Sequence, residues 1–173
     1  MRSVVTIARH LAAVAALPFT ITVLVPLWIA RGSQTSIRFP AGPADWAAAV
    51  AGVALAGIGL VLFASTLRLF VTVGRGTLAP WDPPKHLVVR GPYRYVRNPM
   101  ISGVLFVLFG EALILRSWPQ LQWALFFLVI NLVYIPLFEE PQLADRFGAP
   151  YQDYCRNVRR FIPRPRPWQQ ERR

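Results

Sequence analysis

The sequence predicts an all-helical, multi-pass membrane protein, and three observations support that class. Hydrophobic residues make up 54% of the 173-residue chain and charged residues only 16%, whereas about a quarter of the residues in a soluble domain are charged. The mean hydropathy is positive, at +0.39. Several apolar runs also approach the roughly 20 residues that cross a bilayer as a helix.

Four apolar runs predict a bundle of about four transmembrane helices. They cover residues 11–30, 46–67, 100–115 and 121–138, and the third is the shortest. The first run is longer than the roughly 7–15 apolar residues of a signal peptide, and no small-x-small cleavage site precedes the polar residues after Ala30. We therefore expect it to be retained as a helix.

The distribution of basic residues predicts how the bundle is oriented. The net charge is +11, and most arginines lie between the second and third runs or after the fourth. The positive-inside rule then places both termini and the second loop on the cytoplasmic side of a cell inner membrane. Topology and contact with anionic membrane lipids account for the charge, so nucleic acid is not an expected partner. The sequence specifies no oligomeric state.

The whole chain, residues 1–173, is expected to form one membrane domain. Residues 1–73 carry the first two spans, residues 74–163 the polar loop, the last two spans and the segment after them, and residues 164–173 a basic tail. The loop between spans two and three is rich in proline, so we expect a stiff segment that covers the bundle as a lid or pocket wall. Small residues at four-residue spacing in span two predict close helix packing, namely Ala48, Gly52 and Ala56.

Two short helices are predicted after span four. Pro141 and Pro150 suit first-turn positions, and Gly148 suits the break between the helices. The second helix is amphipathic, and its apolar face comprises Tyr151, Tyr154, Cys155 and Val158. Beyond Phe161 the chain is expected to be extended and mobile.

The most concentrated polar chemistry lies in "RGPYRYVRNP", just before span three. Asn98 followed by Pro99 predicts an N-cap and the first residue of a helix. The positive end of that helix, flanked by Arg94 and Arg97, favours a carboxylate or another anion. The alternative is that the arginines only extend to lipid headgroups while the tyrosines form an interfacial belt.

Two adjacent carboxylates, Glu139 and Glu140, lie at the cytoplasmic end of span four. Carboxylates at membrane level are candidates for functional residues, although both could be solvated or could pair with Arg94 or Arg97. Together with the arginines and the start of span three, they suit a zwitterion: an acid for its amino group and donors for its carboxylate.

Other chemistries have little support. His10, His86 and Cys155 lie on separate segments, so no metal site and no internal disulfide are expected. No nucleotide-binding or serine-hydrolase motif is present. Glu111, near the far end of span three, is assigned no chemistry.

Two motifs resemble those of a known family. "GTLAPWDPPKHLVVRGPYRYVRNPM" and, further on, "EEPQLADRFGAPYQDYCRNVRRFIP" resemble the isoprenylcysteine carboxyl methyltransferase family and its phospholipid methyltransferase relatives. The resemblance implies a membrane enzyme that uses S-adenosyl-L-methionine at the cytoplasmic face to methylate a small lipophilic or lipid-attached acceptor through a carboxylate, amine or thiol. The cofactor contacts that it implies are Lys85, His86, Leu87, Val88, Tyr93, Asn98, Pro99, Met100, Ile101 and Glu139.

The resemblance also leads to a hypothesis for individual roles. Glu139 holds the cofactor's amino group, Asn98 and the start of span three hold its carboxylate, and Tyr93 packs on the adenosine. The residues expected to act in catalysis are Glu140, Arg94 and Arg97, with Glu140 or His86 as a possible base.

The chain departs from the family at three positions. Asn98 stands where the family often has histidine, and Ile101 stands where it usually has tyrosine. Ile135 replaces an arginine that helps the eukaryotic enzymes hold prenylcysteine, so a prenylated protein is not the expected substrate.

Two other function classes stay open at this point. One is a membrane reductase of similar helical architecture that uses NADPH, with Tyr93 or Tyr95 as proton donor. The other is a non-enzymatic membrane protein whose basic loop and tail bind anionic lipid.

Overall fold

The computed structural model describes residues 15–33, 35, 39–74 and 85–169, and every regular element among them is helical. The predictions for residues 11–14, for loop residues 75–84 and for residues 170–173 lie outside the described part of the chain. The α-helices are α1 (Val25–Gly32), α2 (Pro43–Leu69), α3 (Pro99–Leu115), α4 (Trp118–Tyr134), α5 (Glu140–Phe147) and α6 (Ala149–Asn157).

Shorter helical turns adjoin these helices. A π-helical stretch, Ala15–Leu24, leads into α1, and π-helical turns follow α2 at Phe70–Gly74 and α4 at Ile135–Glu139. A 3₁₀ turn, Gly91–Arg94, precedes α3. Proline inside a helix removes a backbone donor, and Pro136 does so in the turn between α4 and α5.

Among the described residues, two stretches are long and apolar enough to cross a membrane, Pro43–Gly74 and Trp118–Phe147. Leu17–Gly32 and Pro99–Leu115 are apolar but shorter. The all-helical class is therefore confirmed and a membrane location is supported, whereas the predicted count of four spans is not confirmed.

Helices α2 and α3 pack against each other along glycines. Gly52 faces Gly110 and Gly59 faces Gly103, so the helices are antiparallel. A Cβ atom added at Gly59 would lie 2.6 Å from the carbonyl oxygen of Gly103, closer than real Cβ contacts. Small residues permit such approach of two backbones inside lipid, and the close packing predicted for span two is confirmed at Gly52 and Gly59.

Helix α4 packs on α3 and on the first apolar segment. The core between α3 and α4 contains Leu108 and Phe127. The indole N–H of Trp123 donates to the carbonyl oxygen of Ile21 over 3.1 Å, and the Gln120 side chain donates to that of Pro26 over 2.7 Å. Pro26 has no backbone N–H to donate to the preceding turn. Side chains of α4 donate to two carbonyl oxygens of this segment, where lipid would offer no hydrogen-bond donor.

The two ends of the bundle carry different ionic contacts. At one end Arg116 bonds Asp45 over 2.6 Å, joining the turn between α3 and α4 to the start of α2. At the other end Arg97, just before α3, bonds Glu140 at the start of α5 over 3.2 Å. The loop before α3 and the paired glutamates therefore share one end of the bundle, as the sequence predicts.

We expect Gly59→Ala to destabilise the protein by about 1–3 kcal/mol, because the added methyl group overpacks the contact with the backbone of α3. Gly57→Ala is the matched control: it lies in the same helix, and a Cβ there meets nothing within 4 Å. Unfolding of both variants in detergent micelles measures the difference. Equal stabilities would contradict the close approach of the two helices.

Candidate functional site

The segment before α3 is shaped by glycine and proline. Gly91 has a φ of +54°, in the left-handed region that glycine adopts without strain. The 3₁₀ turn that begins there buries Tyr93, whose ring lies 6.0 Å from that of Phe70. Pro99 then begins α3 as predicted, but the Asn98 side chain makes no capping hydrogen bond. Asn98 therefore occupies the N-cap position without bonding the first turn.

The C-terminal segment, residues 158–168, folds back on this stretch. The backbone N–H groups of Arg97 and Asn98 donate to the carbonyl oxygens of Arg159 and Arg160, over 2.9 and 3.2 Å. Farther along, the N–H of Arg164 donates to the carbonyl of Tyr95 over 2.9 Å. The prediction of a mobile tail is thus wrong for the described part of the tail, because backbone hydrogen bonds hold it.

Arg94 and Trp168 fix the end of this C-terminal segment. The Arg94 Nε donates to the carbonyl oxygen of Trp168 over 2.7 Å, and the Trp168 N–H donates to the carbonyl oxygen of Arg94 over 2.9 Å. The guanidinium predicted to act in catalysis therefore contacts the tail, and a catalytic role for Arg94 stays a prediction.

Tyrosines of α6 contact both the stretch before α3 and the C-terminal segment. The Tyr154 hydroxyl donates to the carbonyl oxygen of Tyr93 over 2.7 Å, and its ring centroid lies 5.7 Å from that of Trp168. Tyr151, Tyr154 and Val158 form a buried cluster, which confirms the predicted apolar face of α6. Burial raises the pKa of Tyr154 and of Tyr151 above the ordinary value for tyrosine.

Glu140 lies at the centre of an ionic cluster. Both of its carboxylate oxygens accept from Arg160, over 2.7 and 2.8 Å, and Arg97 adds a contact of 3.2 Å. The bidentate hydrogen bonds raise the pKa of Arg160, so this guanidinium stays charged. The pairing of a glutamate with Arg97, one of the alternatives that the sequence left open, is therefore what the structure shows for Glu140.

Glu139 points elsewhere, because adjacent helical positions are separated by about 100° around the axis. It is half-buried and lies on the π-helical turn after α4. Burial raises the pKa of Tyr93 well above its ordinary value, and Tyr154 and the charge of Glu139 add to this effect. Glu140 thus faces the arginines, while the charge of Glu139 acts on Tyr93.

One donor of the cluster has no protein partner. The Nε of Arg97 is buried, and no group in the described part of the chain accepts from it. Buried donors without partners are rare in proteins, and a bound ligand is one explanation. Arg97 precedes Asn98 and the positive N-terminal end of α3, which favours an anion. By charge, a carboxylate suits these donors and an amino group suits Glu139.

The remaining predicted contacts lie around this centre. The backbone N–H groups of Lys85 and His86 bond the carbonyl oxygen of Gly74, and their side chains are exposed. Leu87 packs against the tyrosine cluster of α6, and Val88 is buried.

The predicted contacts at the start of α3 differ in burial. Pro99 is buried and Met100 half-buried, while Ile101 packs against the core between α3 and α4. Their roles as cofactor contacts stay predictions.

An open hollow of about 460 Å³ lies beside Glu140. It separates the end of α4 and α5 from α6, and none of the ten predicted cofactor contacts lines it. The hollow is therefore next to the predicted cofactor site rather than within it. The residues that line it are Pro136, Glu140, Pro141, Ala144, Tyr151, Gln152, Cys155 and Arg156.

Sequence reasoning missed Arg160 and Trp168. Helix α6 ends at Asn157, and the extended chain beyond it directs Arg160 to Glu140. Pro163 shortly afterwards hints that the helix has ended, and an aromatic residue in a basic tail hints at docking. Neither signal identifies the partner.

The fold and this cluster together define a helical membrane protein with a polar site at one end of its bundle. A family model described as phospholipid methyltransferase matches residues 47–150, more than half of the chain. The chain belongs to the phospholipid methyltransferase family, which confirms the resemblance seen in the sequence and places it in the superfamily of the isoprenylcysteine carboxyl methyltransferases. No curated protein and no solved structure matches the chain.

We expect Tyr154→Phe to lower the free energy of unfolding by about 1–3 kcal/mol, since the variant leaves the buried carbonyl of Tyr93 without its donor. Tyr134→Phe removes a hydroxyl from an exposed position on α4 and serves as the control. Denaturation of both variants in micelles gives the comparison. A Tyr154→Phe variant as stable as the control would show that the bond contributes nothing.

Proposed function

We propose that this protein is an integral membrane methyltransferase that uses S-adenosylmethionine and acts on a small lipophilic or lipid-attached acceptor at the cytoplasmic membrane face. Family membership supports methyl transfer. The observation that carries the proposal is the contact of Arg97 with Glu140, because it brings the start of α3 and the paired glutamates to one site.

The residues at this site suit the amino-acid half of the cofactor. Glu139 accepts from the amino group, and the Nε of Arg97, the Asn98 amide and the start of α3 donate to the carboxylate. Tyr93 and the segment Lys85–Val88 contact the nucleoside half. Met100 and Ile101 complete the contacts at the first turn of α3.

When bound, S-adenosylmethionine would supply a methyl group on a sulfonium. The acceptor would attack the methyl carbon in line with the departing thioether sulfur. The protein's part is then to orient the acceptor and to exclude water. A carboxylate acceptor needs no base, whereas an amine or thiol must first lose a proton. Arg160 occupies both oxygens of Glu140, so we assign Glu140 a positioning role and retain the exposed His86 as the candidate base.

The acceptor is proposed to approach from the lipid with its apolar part in the bilayer. The end of α4 exposes apolar side chains next to the glutamates, among them Leu137 and Phe138, which are 63% and 54% exposed. A lipophilic molecule that packs there reaches the polar cluster without leaving the membrane. Ile135 is buried in place of the family's arginine, which supports an acceptor other than prenylcysteine.

The reductase alternative has less support. It requires a tyrosine that gives up a proton. Burial raises the pKa of Tyr93, one of the two candidate donors, well above its ordinary value, and the other candidate, Tyr95, is exposed at the surface. The non-enzymatic alternative leaves the buried, unpartnered Nε of Arg97 without explanation.

We expect Glu139→Gln to weaken S-adenosylmethionine binding about tenfold or more, because a hydrogen bond to a charged group contributes about 1.5–3 kcal/mol. Calorimetry on protein in nanodiscs measures the dissociation constant. Asp153→Asn, which neutralises an exposed carboxylate on α6, is the control. Binding of Glu139→Gln at wild-type strength would remove Glu139 from the site.

The acceptor class can be measured directly. Purified protein in nanodiscs receives methyl-labelled S-adenosylmethionine and a membrane lipid extract, and mass spectrometry follows the products. We expect label in the lipid fraction, in molecules heavier by one methylene unit. Wild-type protein that binds the cofactor but labels no lipophilic molecule would contradict the proposed acceptor class.

A further inference from the structure

Arg160 contacts both halves of the candidate site at once. Its carbonyl oxygen accepts from the backbone N–H of Asn98, and its guanidinium makes two hydrogen bonds to Glu140. Arg160 therefore links the residue before α3 to the residue that follows the π-helical turn after α4. It lies outside the range 47–150 that the family model matches.

The contact with Glu140 also restrains Glu139. The two glutamates are adjacent, and Pro136 in the turn before them removes one backbone hydrogen bond of a regular helix. A turn that has lost a backbone bond is more easily displaced than a regular helix, so the orientation of Glu139 depends on what holds Glu140. Arg160 makes the shortest contacts to that carboxylate in the described structure.

We propose that Arg160 is a positioning residue that sets the separation between Asn98 and Glu139, and with it the fit of the amino-acid half of the cofactor. This inference rests on the proposed function. It assigns Arg160 no contact with the cofactor. The nucleoside half, which is proposed to lie near Tyr93 and Lys85–Val88, does not depend on the Arg160 guanidinium.

The test compares two ligands that differ only in the relevant half. S-adenosylhomocysteine carries the amino acid, and 5′-methylthioadenosine retains the nucleoside and lacks it. For Arg160→Gln we expect the dissociation constant of S-adenosylhomocysteine to rise about tenfold, as misplacement of a binding group does, while that of 5′-methylthioadenosine stays unchanged. Retained binding of the second ligand also shows that the variant is folded.

Matched variants separate positioning from general damage. Arg159→Gln changes an exposed neighbour and should bind both ligands as wild type does. Arg160→Lys keeps the charge but loses the bidentate geometry, so its affinity for S-adenosylhomocysteine should fall between those of wild type and Arg160→Gln. The double variant of Arg160→Gln with Glu140→Gln should lose no more than Glu140→Gln alone, because Glu140→Gln already breaks the ion pair with Arg160.

Each outcome decides a different point. If wild type binds neither ligand, the proposed function fails, and this inference fails with it. If wild type binds both and Arg160→Gln binds both equally well, the inference alone is overturned. A loss of the two ligands to the same extent would also overturn it, because that is the effect of a structural role without selectivity for the amino-acid half.

Discussion

The structure of the site depends on one carboxylate held by two guanidinium groups. Glu140 accepts both hydrogen bonds of Arg160 and a further contact from Arg97. These residues come from three parts of the chain: the start of α5, the C-terminal segment and the loop before α3. Removing one partner from a half-buried cluster leaves the others without compensation, so the cluster constrains three segments together. It also separates the roles of the two glutamates, because Glu140 is occupied and Glu139 takes part in none of these contacts.

Packing between α2 and α3 also fixes the position of the site. The contacts of Gly52 and Gly59 with α3 fix that helix against α2 at backbone distance. The start of α3 therefore has a defined position before any side chain of the site is considered. The tail and α6 then hold the stretch that precedes it, through the Tyr154 hydroxyl and through two hydrogen bonds between Arg94 and Trp168, one donated by the Arg94 side chain and one by the Trp168 N–H. Glycine packing and polar bonding thus act on the same short segment.

Proline and glycine in the sequence predicted where helices begin and where the chain breaks, because these features depend on local backbone chemistry. Pro99 begins α3, and Gly148, with a φ of +60°, breaks the chain between α5 and α6 as expected. The sequence could not show that Arg160 reaches Glu140, because that contact joins residues 20 positions apart beyond the end of a helix. The docking of Trp168 on Arg94 spans 74 positions. Long-range contacts of this kind follow from the tertiary fold and leave no periodic pattern.

The ionic cluster also bears on the type of reaction that this site can support. A general acid must release its proton, yet Tyr93 is buried and its pKa is raised. Glu140 already accepts from two arginines. With neither Tyr93 nor Glu140 suited to proton transfer, the site favours chemistry in which these two residues bind and orient rather than move protons. Transfer of a methyl group from a sulfonium would be such chemistry, because the acceptor bonds to the methyl carbon while the sulfur leaves as a neutral thioether, and the enzyme's main contribution is orientation. The same polar contacts that make the site rigid therefore favour methyl transfer over reduction.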